Sequence, residues 1–380
     1  MECYSPVHIG SGEKYAKSQY VYDSRKNAVY LLNERQWAMF LDEHGLLDAF
    51  TRALVKGGSW FSLYNWLERD SGLLGRYGQI GKLIYQLQER QVLGEAIPVE
   101  SGGKERINDI DGFVRDSEGK YYIPGSSIKG AFRTVILTEI IRNNRGKYGN
   151  VWGDVERNSL QRKDIERLEK SLTQPDRNAQ GGPAGMVDSY FAGLQVSDAV
   201  VKEATPVIVK KLDLGVQAAK EGKDPHGVAL YRESLESPTK AIFTIGIDDS
   251  PRRMGALGIH TAEELLKCCR KFMGFQYDLL SPVFGMKFYD EEVEDLKQVD
   301  LLLGGGTGFL SKTLVYALAP DRMAGVEVVK KLWPSRGIFS RHKHENDWEI
   351  SPHTLKLTES EGKTYPMGLC NLKILEEKRC

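Results

Sequence analysis

Residues 121–133 read YYIPGSSIKGAFR, a short β-rich run that ends in a Pro-Gly turn and passes directly into a helical pattern. Tyrosine and isoleucine favour strands, and Pro124-Gly125 is a turn signal. From Ser126 to about Asn143, apolar residues recur at 128, 132, 135, 136 and 140, the spacing of one helix face. The sequence therefore predicts a strand, a tight turn and an amphipathic helix in succession.

The start of this helix is a candidate anion site. Ser126 or Ser127 is expected to cap it and to leave first-turn N–H groups pointing outward, where they attract anions. Lys129 lies in the same turn, where the helix dipole disfavours a cation unless a phosphate is bound. Arg133 follows four residues later on the same side of the helix. The alternative is an ordinary capped helix whose Lys129 and Arg133 are simply exposed to solvent.

A second candidate site is the glycine-rich stretch at residues 304–309, GGGTGF, which is followed by Lys312. Its glycines are Gly304, Gly305, Gly306 and Gly308. They allow positive φ and a close approach of backbone amides to a ligand. Two interpretations stay open, contact with an RNA backbone and a structural turn. The stretch also resembles a nucleotide-binding P-loop, except that Ser311 stands where that motif needs glycine.

The histidines offer a third possibility. Histidine can serve as the general base in metal-free RNA cleavage, so His8 makes a metal-independent endoribonuclease an alternative. A hydrogen-bonded structural histidine is the simpler interpretation. His353 lies further along the sequence, and no carboxylate or cysteine cluster at ligand spacing surrounds His342 and His344, where Asp347 alone is too little for a metal site. The sequence predicts no metal site and no cofactor.

The composition is that of an ordinary folded protein. Of the 380 residues, 41% are hydrophobic and 27% are charged, and the length favours two domains. The formal net charge is zero, so any contact with a nucleic acid must be local. The five cysteines are odd in number and lack CxxC spacing, which favours reduced thiols. With neither a signal-peptide pattern nor a membrane-length apolar stretch, we expect a cytoplasmic protein without a membrane partner.

Strand and helix patterns are interspersed along the chain, which predicts an α+β fold. Two β-rich runs at 20–22 and 28–32 predict a hairpin, and residues 34–94 have a helical pattern. Further strands are expected at 190–201, 205–214, 240–247 and 299–303, helices at 154–172, 261–272 and 310–318, and a charged loop at 217–227. The stretch 178–185 is the best linker candidate, so we expect domains at 1–185 and 186–380.

Residues 123–133 resemble the signature segment of the RAMP superfamily of CRISPR proteins. Five other segments are similar to the family of fifth Csm subunits of type III-A CRISPR systems. They are Ser5–Gly12, Leu194–Asp198, Tyr231–Leu235, Gly304–Phe309 and Met367–Cys370. Because these segments are spread from one end of the sequence to the other, the resemblance covers nearly the whole chain.

The resemblance implies an RRM-like, ferredoxin-type RAMP core with large helical and loop insertions and two related domains. It implies a non-catalytic subunit that caps the complex at the 3′ end of the guide RNA and supports guide-RNA maturation in antiviral defence. The implied partners are the guide RNA (crRNA), the neighbouring backbone RAMP subunit, the small helical subunit and trimming nucleases. RNA contacts are implied for Ser126, Ser127, Lys129, Arg133, His8, Gly304, Gly305, Gly306, Gly308 and Lys312.

Overall fold

The structure of the chain is a computed structural model that describes residues 1–100, 107–157, 170, 172–174, 189–285, 299–331 and 342–377. Helices and strands are interspersed along these residues, so the α+β prediction is confirmed. The RRM-like arrangement of the core stays a prediction.

The strands are numbered β1 to β17 in chain order. They are β1 Glu2–Cys3, β2 Gly10–Tyr15, β3 Tyr20–Asp23, β4 Ala28–Leu32, β5 Leu93–Glu100, β6 Ile110–Phe113, β7 Tyr122–Ile123, β8 Leu194–Val196, β9 Ala199–Val201, β10 Pro206–Gly215, β11 His226–Leu235, β12 Ala241–Ile242, β13 Ile245–Ile247, β14 Leu301–Leu302, β15 Thr354–Ser360, β16 Lys363–Pro366 and β17 Leu369–Asn371.

The largest sheet among the described residues has nine strands and is built around β10. β10 pairs antiparallel with β11 and β15 and parallel with β5. Its residues Val207, Ile208 and Val209 are all buried, as expected for a strand that is covered on both faces. The predicted hairpin is confirmed as β3 and β4, which place Tyr20 opposite Leu31 and continue the sheet beyond β5.

Strands from both halves of the chain share this sheet. β2 to β6 come before residue 185, and β10, β11, β15 and β16 come after it. The predicted linker at 178–185 lies outside the described residues. The division into domains 1–185 and 186–380 therefore stays a prediction, and both segments contribute strands to a common sheet.

The helices are numbered α1 to α11 over the described residues. They are α1 Glu34–Glu43, α2 Leu47–Gly57, α3 Leu63–Asn65, α4 Leu74–Tyr77, α5 Ile80–Glu89, α6 Gly125–Asn143, α7 Arg145–Arg157, α8 Val216–Lys220, α9 Ala262–Phe284, α10 Val315–Leu318 and α11 Arg322–Lys331. Short 3-10 turns lie at Gly58–Trp60, Tyr190–Gly193, Met254–Leu257 and His344–Asn346, and a π turn lies at Trp66–Asp70.

Helix α6 belongs to the largest hydrophobic cluster and packs against α9 and α10. Ile128 and Phe132 are buried near its start, as predicted, but every residue from Val135 to Glu139 is also buried. The buried Glu139 carboxylate pairs with Arg142 at 3.0 Å and with Lys271 at 3.8 Å. The predicted amphipathic pattern is thus wrong for Val135 to Glu139, where five consecutive residues, and therefore every face of the helix, are buried.

Several segment predictions are confirmed or corrected by these bounds. The predicted strand at 205–214 is β10, and the predicted helix at 261–272 continues to Phe284 as α9, which begins with a capping box between Thr261 and Glu264. The predicted loop at 217–227 instead contains most of α8 and the start of β11, and the predicted helix at 310–318 is helical only in α10. The charged stretch 154–172 lies mostly outside the described residues. None of the described helices is both long and apolar enough to cross a membrane.

Candidate functional site

Helix α6 begins directly after Pro124 and is not capped by a serine. The backbone N–H of Gly125 donates to the Asp198 carboxylate at 2.7 Å. Ser126 and Ser127 lie inside the first turn, where the N–H of Ser127 donates to the Pro124 carbonyl at 2.9 Å. The prediction that a serine caps this helix is therefore wrong, because a carboxylate from a distant segment of the same chain takes the position of the anion.

Gly125 is required at this turn because the backbone of another segment lies directly against it. A Cβ added at Gly125 would stand 2.2 Å from the Val196 carbonyl oxygen and 2.7 Å from that of Ser197. Real Cβ atoms do not come so close to backbone oxygens, so only glycine lets α6 pack here. Two segments that carry the resemblance, residues 123–133 and Leu194–Asp198, thus meet in the fold.

The two cations of α6 both rest partly against protein. Lys129 is half-buried, and burial lowers the pKa of its ammonium group. The Arg133 guanidinium lies over the Phe191 ring, 5.7 Å from the ring centroid, a cation–π arrangement. Neither side chain is the freely solvated group that the alternative interpretation of this helix expects.

The glycine loop, residues 304–309, has the backbone that its composition predicts. Gly304, Gly306 and Gly308 have φ of 90°, 88° and 85°, a region that favours glycine. A Cβ at Gly304 would stand 2.2 Å from the His8 carbonyl oxygen, and one at Gly306 would stand 2.5 Å from the Met367 Sδ. The loop therefore depends on glycine both for its conformation and for its close approach to neighbouring groups.

His8 holds the glycine loop in place. Its carbonyl oxygen accepts the Gly305 N–H at 2.7 Å, and its Nδ1 donates to the Glu233 carbonyl oxygen at 2.6 Å. His8 is 5% exposed, and burial lowers its pKa, which favours the neutral imidazole. These contacts support the structural interpretation of His8 over that of a catalytic base.

Lys312 is positioned differently from the lysine of a P-loop. Its ammonium group donates to the Gly304 carbonyl at 2.9 Å, within the same loop. The residues after the glycine loop form turns until α10 begins at Val315. A P-loop leads directly into a helix whose N-terminus faces the phosphates. The geometry therefore argues against the nucleotide-binding alternative.

Two cations that were not predicted as site residues lie beside the glycine loop. Burial and the nearby charge of Arg232 together lower the pKa of Lys312. Arg232 is 3.7 Å from Asp111, and its Nη1 is buried without a hydrogen-bond partner in the described part of the chain. The Lys356 side chain lies 3.1 Å from where a Gly308 Cβ would stand. Arg232 belongs to Tyr231–Leu235, one of the segments that carry the resemblance, but only the fold places it beside this loop.

The predicted site residues thus fall into two groups. His8, Lys312 and the loop glycines are joined by hydrogen bonds and form the first group. Ser126, Ser127, Lys129 and Arg133 form the second, at the start of α6 beside Asp198 and Phe191. Contact of either group with RNA stays a prediction.

A third cluster joins histidines that the sequence did not connect. His344 Nδ1 lies 3.1 Å from one oxygen of the Asp347 carboxylate, and His353 Nδ1 is hydrogen-bonded to the other oxygen. Sequence spacing offered Asp347 as a lone carboxylate near His344, and the structure adds His353 as a third possible ligand. The absence of a metal site stays a prediction, and the geometry of this cluster argues against it.

Comparison with known protein families gives a match over almost the whole chain. The model described as "RAMPs: RAMP superfamily" matches residues 1–359. The chain belongs to the RAMP superfamily. The resemblance carried by residues 123–133 is thereby confirmed, and both groups of predicted site residues of this RAMP protein lie within the matched range.

Curated relatives of this RAMP protein are named CRISPR system Cms protein Csm5. One from Mycobacterium tuberculosis (strain CDC 1551 / Oshkosh) is 26% identical over 98% of this chain and 96% of its own length. Another from Streptococcus thermophilus is 27% identical over 82% of this chain and 77% of its own length. The predicted similarity to fifth Csm subunits is confirmed.

Solved structures share the fold of this RAMP protein. One is a chain of a cryo-EM structure of a Csm–crRNA–target RNA ternary complex in a type III-A CRISPR-Cas system, with a TM-score of 0.65, 19% identity and coverage of 97% of both chains. The other is the crystal structure of T. onnurineus Csm5, with a TM-score of 0.58, 18% identity and coverage of 98% of this chain and 99% of that one. At these identities the likeness establishes the fold.

Proposed function

We propose that this RAMP protein is a non-catalytic RNA-binding subunit of a type III-A Csm ribonucleoprotein in antiviral defence. It caps the complex on the 3′-end side of the guide RNA and supports guide-RNA maturation and assembly. Its partners are the guide RNA, the neighbouring backbone RAMP subunit, the small helical subunit and trimming nucleases. The observation that carries the proposal is the glycine loop with Lys312 and Arg232 beside it.

The chemistry of this loop suits a phosphate backbone. The Lys312 ammonium group, the Arg232 guanidinium and glycine backbone amides all favour an anionic oxygen. Contacts of this kind fix a protein's position on a nucleic acid without reading its sequence, which suits a subunit that must accept many guides. The curated relatives named Csm5, and a fold neighbour that is part of a complex with crRNA, support the same assignment.

The interpretation as a non-catalytic subunit is supported by the environment of His8. A general base in RNA cleavage must reach the proton of a ribose hydroxyl, and His8 is almost fully buried with its Nδ1 engaged. Its burial also favours a neutral ring that serves as a hydrogen-bond donor to the backbone. His8 therefore contributes to RNA binding by holding the loop, and the loop makes the contact.

Capture of guide RNA from cells that co-express the other Csm subunits tests the proposal. The Lys312→Ala variant is expected to release guide RNA at lower salt, with retention reduced about tenfold and a salt dependence smaller by about one unit, as for the loss of one phosphate contact. Lys312→Arg should restore retention. The Lys129→Ala/Arg133→Ala pair tests the start of α6, and Arg52→Ala/Lys56→Ala is its matched control, with the same charges and spacing on the exposed face of α2.

Two results would contradict the proposal. One is unchanged guide-RNA capture in Lys312→Ala and in the α6 pair, measured on variants with wild-type unfolding midpoints. The other is cleavage of precursor RNA by the purified chain in the presence of EDTA that is abolished by His8→Ala, which would establish the endoribonuclease alternative.

A further inference from the structure

Three side chains of suitable chemistry converge at the start of β15. His344 and Asp347 are 8% and 4% exposed, and His353 is half-buried. One potential ligand atom from each lies within 4.8 Å of those of the other two. The two imidazoles approach opposite oxygens of the same carboxylate through their Nδ1 atoms.

The backbone around these side chains is fixed by contacts from elsewhere in the chain. The N–H of Val216 donates to the His353 carbonyl at 3.1 Å. The Tyr316 hydroxyl donates to the Ser351 carbonyl at 2.8 Å and accepts the Ser351 N–H at 2.9 Å. The 3-10 turn His344–Asn346 and the residues before β15 are therefore positioned independently of any ligand, which favours a preformed site.

A buried hydroxyl lies beside the same carboxylate. Burial alone would raise the pKa of Asp347, but contacts with His353, Ser351 and His344 hold it below its ordinary value. Ser351 is fully buried, and its hydroxyl lies beside the Asp347 carboxylate. Contacts with three side chains therefore hold this carboxylate in place, which favours a preformed site.

We propose that His344, Asp347 and His353 form a binding site for one divalent transition-metal ion of the Zn²⁺ class. Two imidazole nitrogens and one carboxylate oxygen are a ligand set that such ions favour. Zinc bonds of about 2.0–2.2 Å to nitrogen and oxygen place tetrahedral ligand atoms about 3.3–3.5 Å apart, close to the 3.1 Å between His344 Nδ1 and the Asp347 oxygen. Three protein ligands leave a fourth position for water.

The His353 side chain is 34% exposed, which gives an ion access from solvent. The bound ion connects the turn at His344 to the start of β15. β15 also carries Lys356, the cation beside Gly308 of the glycine loop. The site therefore stabilises a part of the sheet next to the proposed RNA contact without being part of it.

Direct metal binding by the full-length, tag-free chain tests this site. After EDTA treatment, reloading with excess Zn²⁺ and gel filtration, the wild type is expected to retain about one equivalent of Zn²⁺ by elemental analysis and to melt at a higher temperature than the EDTA-treated chain. With Co²⁺ as the probe, visible absorption of a four-coordinate complex is expected. His353→Gln and Asp347→Asn should each lower the affinity for both ions at least tenfold, the scale on which even outer-shell changes act.

The controls separate this site from other ligands of the chain. His260→Gln changes an exposed histidine elsewhere, and Cys268→Ser removes a half-buried thiol, so both should bind like the wild type. His353→Gln should also match the melting temperature of the wild type in EDTA, which shows that the variant folds. The proposal is overturned if the wild type retains no metal, or if Zn²⁺ binding survives both His353→Gln and Asp347→Asn.

Discussion

Two segments of the chain each combine glycine with a nearby lysine, but the glycines have different roles in the structure. At the start of α6, Gly125 has an ordinary backbone conformation and serves close packing against residues 196–198. In the glycine loop, Gly304 has positive φ as well as a close approach to His8. Gly125 is therefore required for close packing alone, whereas Gly304 is required both for its positive φ and for close packing.

The two segments also differ in how well they could bind an anion. The N–H of Gly125 already has a carboxylate partner in Asp198. Beside the glycine loop, the partners of Arg232 and Lys312 are incomplete, because Arg232 Nη1 has none among the described residues and the Lys312 ammonium group donates to a neutral carbonyl. A phosphate gains most where donors lack partners, so the glycine loop is the stronger candidate for RNA contact.

The largest effect is expected for Gly304→Ala. The substitution combines a left-handed backbone, which costs about 1–2 kcal/mol for an L-residue, with a Cβ 2.2 Å from the His8 carbonyl oxygen. Overpacking adds about 1–3 kcal/mol, so we expect the free energy of unfolding to fall by about 2–5 kcal/mol. Urea denaturation of the purified chain measures it.

Gly119→Ala is the matched control for backbone strain alone. Gly119 has φ of 80°, and a Cβ there would meet nothing within 4 Å. It should lower the free energy of unfolding by about 1–2 kcal/mol. If Gly304→Ala costs no more than this control, the close approach of the loop to His8 is not a constraint on the fold.

A smaller effect is expected for Gly125→Ala, because only the close packing is lost. The added Cβ would stand 2.2 Å from the Val196 carbonyl oxygen, and the resulting shift of α6 should lower the free energy of unfolding by about 2–3 kcal/mol. Gly130→Ala, in the same helix with open space around it, should instead raise stability by about 0.5–1 kcal/mol. Urea denaturation that gives both variants the same sign would refute the packing role of Gly125.

The sequence predicted what depends on neighbouring residues. The strand before Pro124, the helix after it, the hairpin and the positive φ of the loop glycines all follow from local composition. Predictions from the local pattern were wrong where a contact with a distant part of the chain determines the structure. The partner of the Gly125 N–H is Asp198, and the all-round burial of Val135 to Glu139 depends on helices that arrive later in the chain.

Prediction of the candidate site residues has the same limit, because residues brought together by distant pairing are not visible in the sequence. Lys312 and the loop glycines could be singled out because glycine-rich stretches are visible in a sequence. Arg232 and Lys356 could not, because they reach the loop only through pairing in the nine-stranded sheet. His353 could be noted in the sequence, but the direction of its ring depends on the fold between Asp347 and β15. Sequence spacing therefore could not predict that His353 and His344 contact the same carboxylate.

The smallest effect is expected for Asp198, whose carboxylate caps α6 from outside the helix. Asp198→Ala removes the acceptor of the Gly125 N–H and should lower the free energy of unfolding by about 1 kcal/mol, as for the loss of a helix cap. Asp198→Asn keeps an acceptor and loses only the charge near the helix N-terminus, so it should cost about 0.3–1 kcal/mol. Thr261→Ala, at the capping box of α9, is the reference for a cap within the same chain.

These Asp198 variants also decide how the two segments differ in function. If the carboxylate excludes a phosphate from the start of α6, Asp198→Asn leaves guide-RNA capture unchanged or strengthens it, because a negative charge is removed from the path of the RNA backbone. The glycine loop then carries the contact, and Lys312→Ala remains the variant that releases RNA. If Asp198→Asn instead weakens capture as much as Lys312→Ala at equal stability, both segments act together on the RNA, and the distinction drawn between them is wrong.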